Sequence, residues 1–461
     1  MIDKHTLEKR RTEYAEELHA GSVYRDILAR EKERPIYEKR WFWELLQNAK
    51  DSVAIDNNVN VKIEISDTEV SFSHTGNPFK VDEILSLIIQ GSSKIEEDNK
   101  TGRFGTGFMT TYLLSKKVKI TGQLVDDGGF FEFDLNRDVN ESKDINAIKE
   151  FFKLQKESND EFINSIRENS YIGEDKYQTR FIYNLDEKGK ITSEKGLKSL
   201  NELIPFTQIF NSQVGSITVV NDGKPITYEK RKLNNYQIEN NKVEEWELKS
   251  SDTESDLKAY LIRDKEFDVV FVTEKKDDVE YLKNLNNQYP KLFYTFPLIG
   301  TEEMGIPYII NSTLFDPKIE RDGIYLKSNE DDSNGITKNK ELVSKSLGIA
   351  ISVYPEIIKK NKIRSYYNFF DFKKSGGYSW IDEIWLTNLK INIIDDVTDR
   401  KFIHLGQEDF KYNELDIPYS PDEKNLEDVW KLLNESKSYN VIPYNEQRNW
   451  ITIAKNFASL K

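Results

Sequence analysis

The sequence predicts a mixed α+β fold built from more than one domain, and three observations carry this expectation. The chain has 461 residues, which is more than one ordinary domain holds. Hydrophobic residues make up 37% of it and charged residues 32%, a balance typical of a globular chain rather than a disordered one. Segments with a helical hydrophobic period alternate along the chain with segments whose period is two.

Composition also excludes several classes of site. The chain has no cysteine, which excludes disulfides, thiolate metal sites and cysteine nucleophiles and fits a reducing cytosol. The formal net charge of −14 argues against broad binding to duplex nucleic acid, although a local basic patch stays open. The first residues, "MIDKHTLEKRRTEYAEEL", lack the apolar core of a secretory signal, and no apolar run approaches the roughly 18 to 20 residues of a membrane span. We therefore expect a cytoplasmic protein without a membrane segment.

The first part of the chain predicts helices on a sheet. A charged helix is expected over residues 3–32, broken near Gly21, and a stronger helix over 36–56. "VKIEISDTEVSFSHTG" alternates with period two and predicts two strands joined at Asp67. A short helix, a Gly-rich and charged loop at 91–107, a helix in "FMTTYLLS" and strands in "KVKITGQL", "FFEFDL" and "YQTRFIYNL" follow. This order predicts helices packed on one side of a mostly antiparallel sheet.

Three domains are expected, over residues 1–210, 211–334 and 335–461. The second carries strand-like "GSITVV", "KPITYEK", "KAYLIRD" and "FDVVFVTE", with a helix expected through "DVEYLKNL". From about residue 335 the pattern becomes helical. Its aromatic residues predict a helical core or an interaction surface; they include Tyr366, Tyr367, Phe369, Phe370, Trp380 and Trp385.

One helix carries an unusual polar face. In "ELLQNAKDS", residues Glu44, Asn48 and Asp51 have i, i+4 and i+7 spacing, which places an acid, an amide and a second acid on one face. The alternative for such a face is ordinary solvated surface. Trp41 and Trp43, which precede it, are expected to pack in a core or an interface.

Three glycine-bearing signals follow this helix, and together they favour a phosphate-binding site. They are "HTGNPF" at 74–79, "GSSK" at 91–94 and "TGRFGTGF" at 101–108. Glycines let the backbone approach a ligand closely, and a helix that begins there offers free N–H groups. The last signal is not a Walker loop, because no Lys-Ser or Lys-Thr pair follows it, and its glycine spacing is not that of a dinucleotide fingerprint.

The polar helix face and the three glycine-bearing segments form four signals. In this order and spacing they resemble the ATP-binding domain of the GHKL superfamily, which includes DNA gyrase, the heat-shock chaperone HtpG, histidine kinases and MutL. "GRFGTGFMTTYLL" and "GSSK" are most similar to the chaperone-like and sacsin-like branch. The resemblance covers residues 30–190. It implies an N-terminal Bergerat-type two-layer α/β sandwich, a middle α/β transducer-like domain and a mainly helical C-terminal region. It also implies slow ATPase activity with ATP and Mg²⁺ as cofactors.

The resemblance assigns roles to matching positions. Glu44 would act as general base, and Asn48 would bind nucleotide and coordinate Mg²⁺ through its amide oxygen. Asp51 would face the sugar or base, and Gly76 and Phe79 would shape the adenine pocket. The remaining nucleotide-binding positions implied by the resemblance are Ser93, Lys94, Gly102, Arg103, Phe104, Gly105, Thr106, Gly107, Phe108 and Thr179. The alternative for the 91–107 segment is an ordinary flexible loop.

The sequence departs from the family at the proposed base contact. His74 stands where the family has an Asp that accepts a hydrogen bond from the adenine amino group. A neutral imidazole has one acceptor nitrogen, and its tautomer is set by its neighbours, so base selectivity stays open. The alternative is a hydrogen-bonded structural histidine. Pro78 replaces the second glycine of the same signal and predicts a stiffer turn.

The middle domain of related proteins sends a basic side chain to the γ-phosphate, where it would stabilise transition-state charge. Arg321, in "FDPKIERDGIYL", is the first candidate for this catalytic role and Lys318 the second. The alternative is an ordinary surface arginine. A histidine kinase is disfavoured, because only His5 and His19 precede Glu44 and no helical hairpin accommodates them.

The expected function is an ATPase whose slow turnover drives lid closure and conformational change in a chaperone-like machine. Its partners would be a protein client and, transiently, a second copy in an ATP-dependent homodimer, with the N-terminal segment either a solvated helix or a strap to that copy. The alternative is a nucleotide-gated sensor or scaffold in a bacterial anti-phage defence or stress system, acting with a separate effector chain. A pseudo-ATPase is disfavoured by the presence of both Glu44 and Asn48.

Overall fold

A computed structural model describes most of the chain. The described residues are 3–90, 107–125, 129–140, 145–167, 177–252, 257–285, 288–318, 320–327, 333–420, 422, 425–436 and 438–461. Within them the protein is a mixed α+β fold, as predicted, with a large mixed β-sheet. The chain forms two compact units, the first over Met1–Glu229 with Ser250–Asp252 and the second over Lys230–Lys249 with Thr253–Lys461.

The first unit contains most of the predicted site positions. Its helices are α1 (Lys4–Lys32), α2 (Arg34–Tyr37), α3 (Trp41–Asp51), α4 (Val81–Ile89), α5 (Ile145–Ser165) and α6 (Glu187–Phe210), with a 3₁₀ helix over Gly107–Leu113. Its strands are β1 (Val59–Ile65), β2 (Glu69–His74), β3 (Lys117–Gln123), β4 (Phe130–Asn136), β5 (Thr179–Asn184), β6 (Val214–Asn221) and the first residues of β7 (Lys224–Ile238). They lie in the order β7-β6-β1-β2-β5-β3-β4, and β1 and β6 are the parallel pair among antiparallel neighbours.

The β1–β2 hairpin confirms the pattern of alternating residues. Every second residue of β1 is buried, from Val59 to Ile65, and the connection passes through Asp67 as predicted. The register then places the end of β2 at the centre of the site described below. His74 lies opposite Val61 in β1 and opposite Thr179 in β5.

The break predicted in the first helix is wrong. α1 runs without interruption through Gly21, which is buried. A Cβ atom placed on Gly21 would lie 3.2 Å from Cγ2 of Ile148 in α5. The glycine therefore permits close packing of α1 on α5 and does not end the helix.

The second unit continues the alternation of strands and helices. Its remaining strands are β8 (Asn241–Ser250), β9 (Leu257–Arg263), β10 (Asp268–Lys276), β11 (Val279–Leu282), β12 (Leu292–Tyr294), β13 (Phe296–Pro297), β14 (Ile309–Asn311), β15 (Ile403–Leu405) and β16 (Glu408–Phe410). Its helices are α7 (Ser333–Asn361), α8 (Glu383–Thr398), α9 (Leu426–Glu435) and α10 (Gln447–Leu460). The main sheet runs β13-β12-β14-β10-β9-β8, with β11 paired to β10 and a separate β15–β16 hairpin.

The helix predicted in "DVEYLKNL" is also wrong. These residues begin with β11, which pairs antiparallel with β10. Asp277 and Asp278, between the two strands, have φ values of 48° and 61°. Two successive residues with positive φ form the tight turn that suits a two-residue hairpin, and this turn chemistry overrides the apolar spacing.

One hydrophobic core joins residues of the second unit from Val243 to Leu460. The C-terminal aromatic residues belong to this core, as predicted: Phe369, Phe370 and Trp380 are buried, and Phe370 stacks on Phe402 at 5.6 Å. The three-domain boundaries stay predictions. In the part of the chain that the structure describes, no helix has both the length and the apolar composition needed to cross a membrane.

Candidate functional site

The predicted polar face of α3 is largely buried. Glu44 is 7% exposed and the side chain of Asp51 is 4% exposed, while Asn48 is partly exposed. Trp41 and Trp43 are buried in the core and anchor the start of the helix, as expected. A carboxylate is rarely placed in such surroundings without a compensating partner or a task. The alternative of a solvated helix face is therefore wrong for Glu44.

The glycine that begins the 3₁₀ helix lies directly against this carboxylate. A Cβ atom placed on Gly107 would be 2.1 Å from Oε2 of Glu44 and 3.0 Å from its Cδ. Only a residue without a side chain therefore permits the observed position of the Glu44 carboxylate. The structure thus brings the acid of the first signal and the last glycine of the fourth signal together.

The other oxygen of the carboxylate is held by Arg40. Nη2 of Arg40 donates a hydrogen bond of 2.8 Å to Oε1 of Glu44, and both side chains are 8% exposed. The two residues are one helical turn apart, so the ion pair forms across the start of α3. A buried, hydrogen-bonded pair fixes the orientation of the carboxylate and leaves Oε2 on the side of Gly107.

A second glycine contact lies at the other end of α3. A Cβ atom placed on Gly76 would be 1.9 Å from Oγ of Ser52 and 2.7 Å from Nδ1 of His74. The Ser52 hydroxyl donates to the carbonyl oxygen of Ala49 at 2.6 Å, so it is fixed to the last turn of the helix. Backbone from the predicted base-binding signal therefore approaches α3 closely at this end too.

The hydrogen bonds of His74 determine its tautomer. Its Nδ1 accepts a hydrogen bond of 3.0 Å from the backbone N–H of Gly76. The ring is 3% exposed, and this burial lowers the pKa of His74 from 6.5 to about 4. The ring is therefore neutral at physiological pH, with its proton on Nε2. The one acceptor nitrogen of the neutral ring therefore accepts from the Gly76 N–H.

Three other predicted positions surround these contacts. Thr179 is 1% exposed and lies beside His74 in the sheet, and its predicted contact with a nucleotide stays a prediction. Phe79 is bonded through its backbone to the end of β3, and its ring lies 5.9 Å from that of Phe131. Phe108 is 5% exposed and packs against Phe181, so its observed role is to hold the 3₁₀ helix on the sheet.

Other predicted site positions are not among these contacts. Seven of them lie outside the residues that the structure describes: Ser93, Lys94, Gly102, Arg103, Phe104, Gly105 and Thr106. Arg321 and Lys318 belong to the second unit, where Nζ of Lys318 lies 2.9 Å from an Asp322 carboxylate oxygen. Their predicted role toward a phosphate stays a prediction.

Asn48 is the residue of this group that could hold a metal ion together with a bound phosphate. Among the described residues, no group of three or more histidines and acids is placed to hold a metal ion. Mg²⁺ commonly takes one or two protein ligands and completes its shell with water and phosphate oxygens. Asn48, partly exposed one turn beyond Glu44, fits the single-ligand arrangement. At both glycines the space that a side chain would need is taken by protein atoms, those of Glu44 at Gly107 and those of Ser52 and His74 at Gly76.

Sequence reasoning missed two residues of this site, Arg40 and Ser52. Arg40 was detectable, because an arginine four residues before an acid on a helix is a standard ion-pair spacing. Ser52 had no such signal, since its role depends on Gly76, which is distant in sequence and arrives through the sheet.

No model of a known protein family matches the sequence, and no curated protein matches it. The likeness to the GHKL superfamily therefore depends on the four motifs.

Proposed function

We propose that the protein is a Mg²⁺-dependent ATPase that binds nucleoside triphosphate along α3 and hydrolyses it slowly. The observation that carries the proposal is the contact between Glu44 and Gly107. It sets a buried carboxylate against a glycine at the start of a helical segment, where a phosphate is readily accommodated.

The chemistry assigned to Glu44 is general base catalysis. Its Oε2 would accept the proton of the attacking water as that water bonds to the terminal phosphorus, while Oε1 stays bonded to Arg40. Phosphoryl transfer needs mainly a positioned water and neutralised phosphate charge. Mg²⁺, when bound, supplies part of that neutralisation, and Asn48 is the residue that would hold it.

In this proposal the terminal phosphate lies toward Glu44 and Gly107. The other end of the nucleotide lies toward Ser52, Gly76 and His74, whose contacts with one another are at the opposite end of α3. Turnover is proposed to drive a conformational change in a chaperone-like machine that acts on a protein client, as in other slow ATPases whose cycle gates motion.

The test is binding and hydrolysis of Mg²⁺-ATP by the purified full chain, with Asn48→Ala beside it. We expect wild type to bind and turn over ATP, and Asn48→Ala to lose most Mg²⁺-dependent affinity. The matched control is Glu157→Gln, a change of an exposed acid on α5 of the same unit, which should leave both properties unaltered. Absence of nucleotide binding by wild type would refute the proposal.

A further inference from the structure

Among the described strands, β4 lies at one edge of the main sheet and pairs on one side only, with β3. Its residues alternate: Phe131, Phe133 and Leu135 are buried, and the residues between them are more exposed. An apolar edge strand of this kind recruits other strands unless it is covered or charged. The hydrogen-bonding groups on its outer side therefore need partners from elsewhere in the protein.

The helix α5 provides these partners with its side chains. Three outward N–H groups of β4 each donate to one residue of α5. The pairs are Glu132 with Oγ of Ser165 at 3.3 Å, Asp134 with Oε2 of Glu161 at 3.1 Å, and Asn136 with Oγ of Ser158 at 3.1 Å. The Ser158 hydroxyl also donates to the carbonyl oxygen of Asp134 at 2.9 Å. Just beyond α5, the backbones of Arg167 and Phe130 exchange hydrogen bonds in both directions.

The spacing of Ser158, Glu161 and Ser165, the edge caps, lets a helix follow a strand. Positions i, i+3 and i+7 lie on one helical face. They span about 10.5 Å along α5, at the helical rise. The strand residues that they cap span about 13 Å, a difference that side chains can bridge. The ring of Phe162 lies 5.4 Å from those of Phe131 and Phe133, so α5 is anchored independently of the edge caps.

Charge on β4 itself gives this edge little protection. Glu132 lies 3.4 Å from Lys119, and Asp134 lies 2.8 Å from Lys117, both on β3. Acids that are already paired repel an incoming strand less than free acids do. The cover of the edge is therefore assigned to the hydrogen bonds from α5.

We infer that α5 covers the edge of the sheet against strand addition. Ser158, Glu161 and Ser165 occupy the groups through which β4 would otherwise pair with β4 of a second copy, and so prevent assembly through the sheet. Antiparallel pairing of one strand with its own copy is self-complementary, so a second copy is the partner that an uncovered edge would take. Nucleotide plays no part in this inference, and its failure would leave the proposed function unaffected.

The first experiment measures residue-resolved hydrogen exchange of the full chain for wild type, Ser158→Ala and Ser165→Ala. Loss of a cap should speed exchange about fivefold or more at the amide that it holds. That amide is Asn136 for Ser158→Ala and Glu132 for Ser165→Ala. The matched control is Asn164→Ala, a change of an exposed α5 residue beside Ser165, which should leave both amides unaltered.

The second experiment measures association by sedimentation velocity over a range of protein concentrations. The triple variant Ser158→Ala/Glu161→Ala/Ser165→Ala should associate and sediment faster than wild type as its concentration rises, whereas Asn164→Ala should sediment as wild type does. Glu132→Pro added to the triple variant should abolish the association, because proline removes an outward N–H group and is tolerated on edge strands.

Two results would overturn the inference. One is exchange at Glu132 and Asn136 that is equal in wild type and in the single variants. The other is a triple variant that folds and sediments as wild type does. Where the triple variant does not fold, Ser158→Ala/Ser165→Ala, which keeps Glu161, takes its place in the sedimentation experiment and decides between the same two outcomes.

Discussion

Two buried glutamates, Glu44 in the first unit and Glu244 in the second, have opposite surroundings. Glu244 is 3% exposed and lies 2.7 Å from Lys232, 2.7 Å from Lys242 and 2.9 Å from Arg263. Glu44 is 7% exposed, is held by Arg40 at one oxygen and has a glycine against the other. Three cations around Glu244 form a structural network, whereas Glu44 is bonded to Arg40 and packs against the backbone of Gly107.

The comparison shows that burial of a charge does not by itself identify a catalytic group. Despite burial, which opposes the effect, the hydrogen bonds from Lys232 and Lys242 and the charge of Arg263 lower the pKa of Glu244 from 4.5 to about 2. The acid is then a permanent anion that ties β7, β8 and β9 together. What distinguishes Glu44 is the close backbone at Gly107, which has no counterpart among the contacts that the structure gives Glu244.

The largest expected effect on turnover among the tests of this contrast between Glu44 and Glu244 is that of Gly107→Ala. The new methyl group would occupy the position of Oε2 of Glu44, so the carboxylate must move. The Glu44 carboxylate is buried and bonded to Arg40, so its displacement should lower the unfolding free energy by about 1 to 3 kcal/mol. Turnover should fall about a hundredfold or more, because a misplacement of about 1 Å has that effect on catalysis. Steady-state ATPase rates and denaturant unfolding check the two expectations, and unchanged turnover would contradict the role of this contact.

Glu244→Gln should have the reverse profile. Three cations lose their shared anion, and breaking a buried ion pair typically costs about 3 to 5 kcal/mol. Turnover per folded molecule should stay unaltered. Urea unfolding measures the loss, and its pH dependence provides a second test. Because the folded pKa is about 2, the stabilisation by Glu244 in wild type is complete above about pH 4.5 and is lost as the pH falls toward 2. If the variant is as stable as wild type, these ion pairs do not stabilise the fold as expected.

His74 should affect the pH dependence of stability in a different pH range from Glu244. Its folded pKa of about 4 lies below the ordinary value of 6.5, so the unfolded chain binds a proton that the folded chain does not. Acidification from pH 7 to pH 5 should therefore reduce the unfolding free energy by about 2 kcal/mol through this group. His74→Asn keeps an acceptor for the Gly76 N–H and removes the titration. Equal slopes of stability against pH for the two proteins would show that His74 is not buried in the neutral form.

The smallest expected effect is that of Gly348→Ala, the matched control for Gly107→Ala. Gly348 lies within α7, and a Cβ atom placed on it meets nothing within 4 Å. Alanine should stabilise the helix by about 0.5 to 1 kcal/mol without an effect on turnover. Thermal unfolding and the ATPase rate check both, and a loss of activity here would show that glycine substitutions act nonspecifically.

Sequence patterns predicted elements of the first unit well where a pattern is compatible with a single type of secondary structure. Period-two alternation gave β1 and β2, and the spacing of Glu44, Asn48 and Asp51 gave the polar face of α3. Glycine was ambiguous, because Gly21 allows two helices to pack whereas Gly107 and Gly76 allow polar groups to approach. Local patterns distinguish these uses poorly.

The tautomer of His74 and the role of Ser52 were beyond sequence reasoning for a related reason. Both depend on Gly76, whose backbone N–H and missing side chain act only after β2 is placed against α3.

The helices α5 and α6 received no prediction. Their packing against β4 and in the core compensates for weak local signals, since tertiary contacts supply most helical stability.

The most direct test of the central claim is a single-turnover measurement of Mg²⁺-ATP hydrolysis by Glu44→Gln beside wild type, with nucleotide affinity measured on the same samples. We expect Glu44→Gln to bind nucleotide about as tightly as wild type, because the amide still fits against Gly107. The rate of the chemical step should fall by about 10² to 10⁴, the range expected for loss of a general base. Hydrolysis at the wild-type rate by Glu44→Gln, with nucleotide bound, would contradict the account.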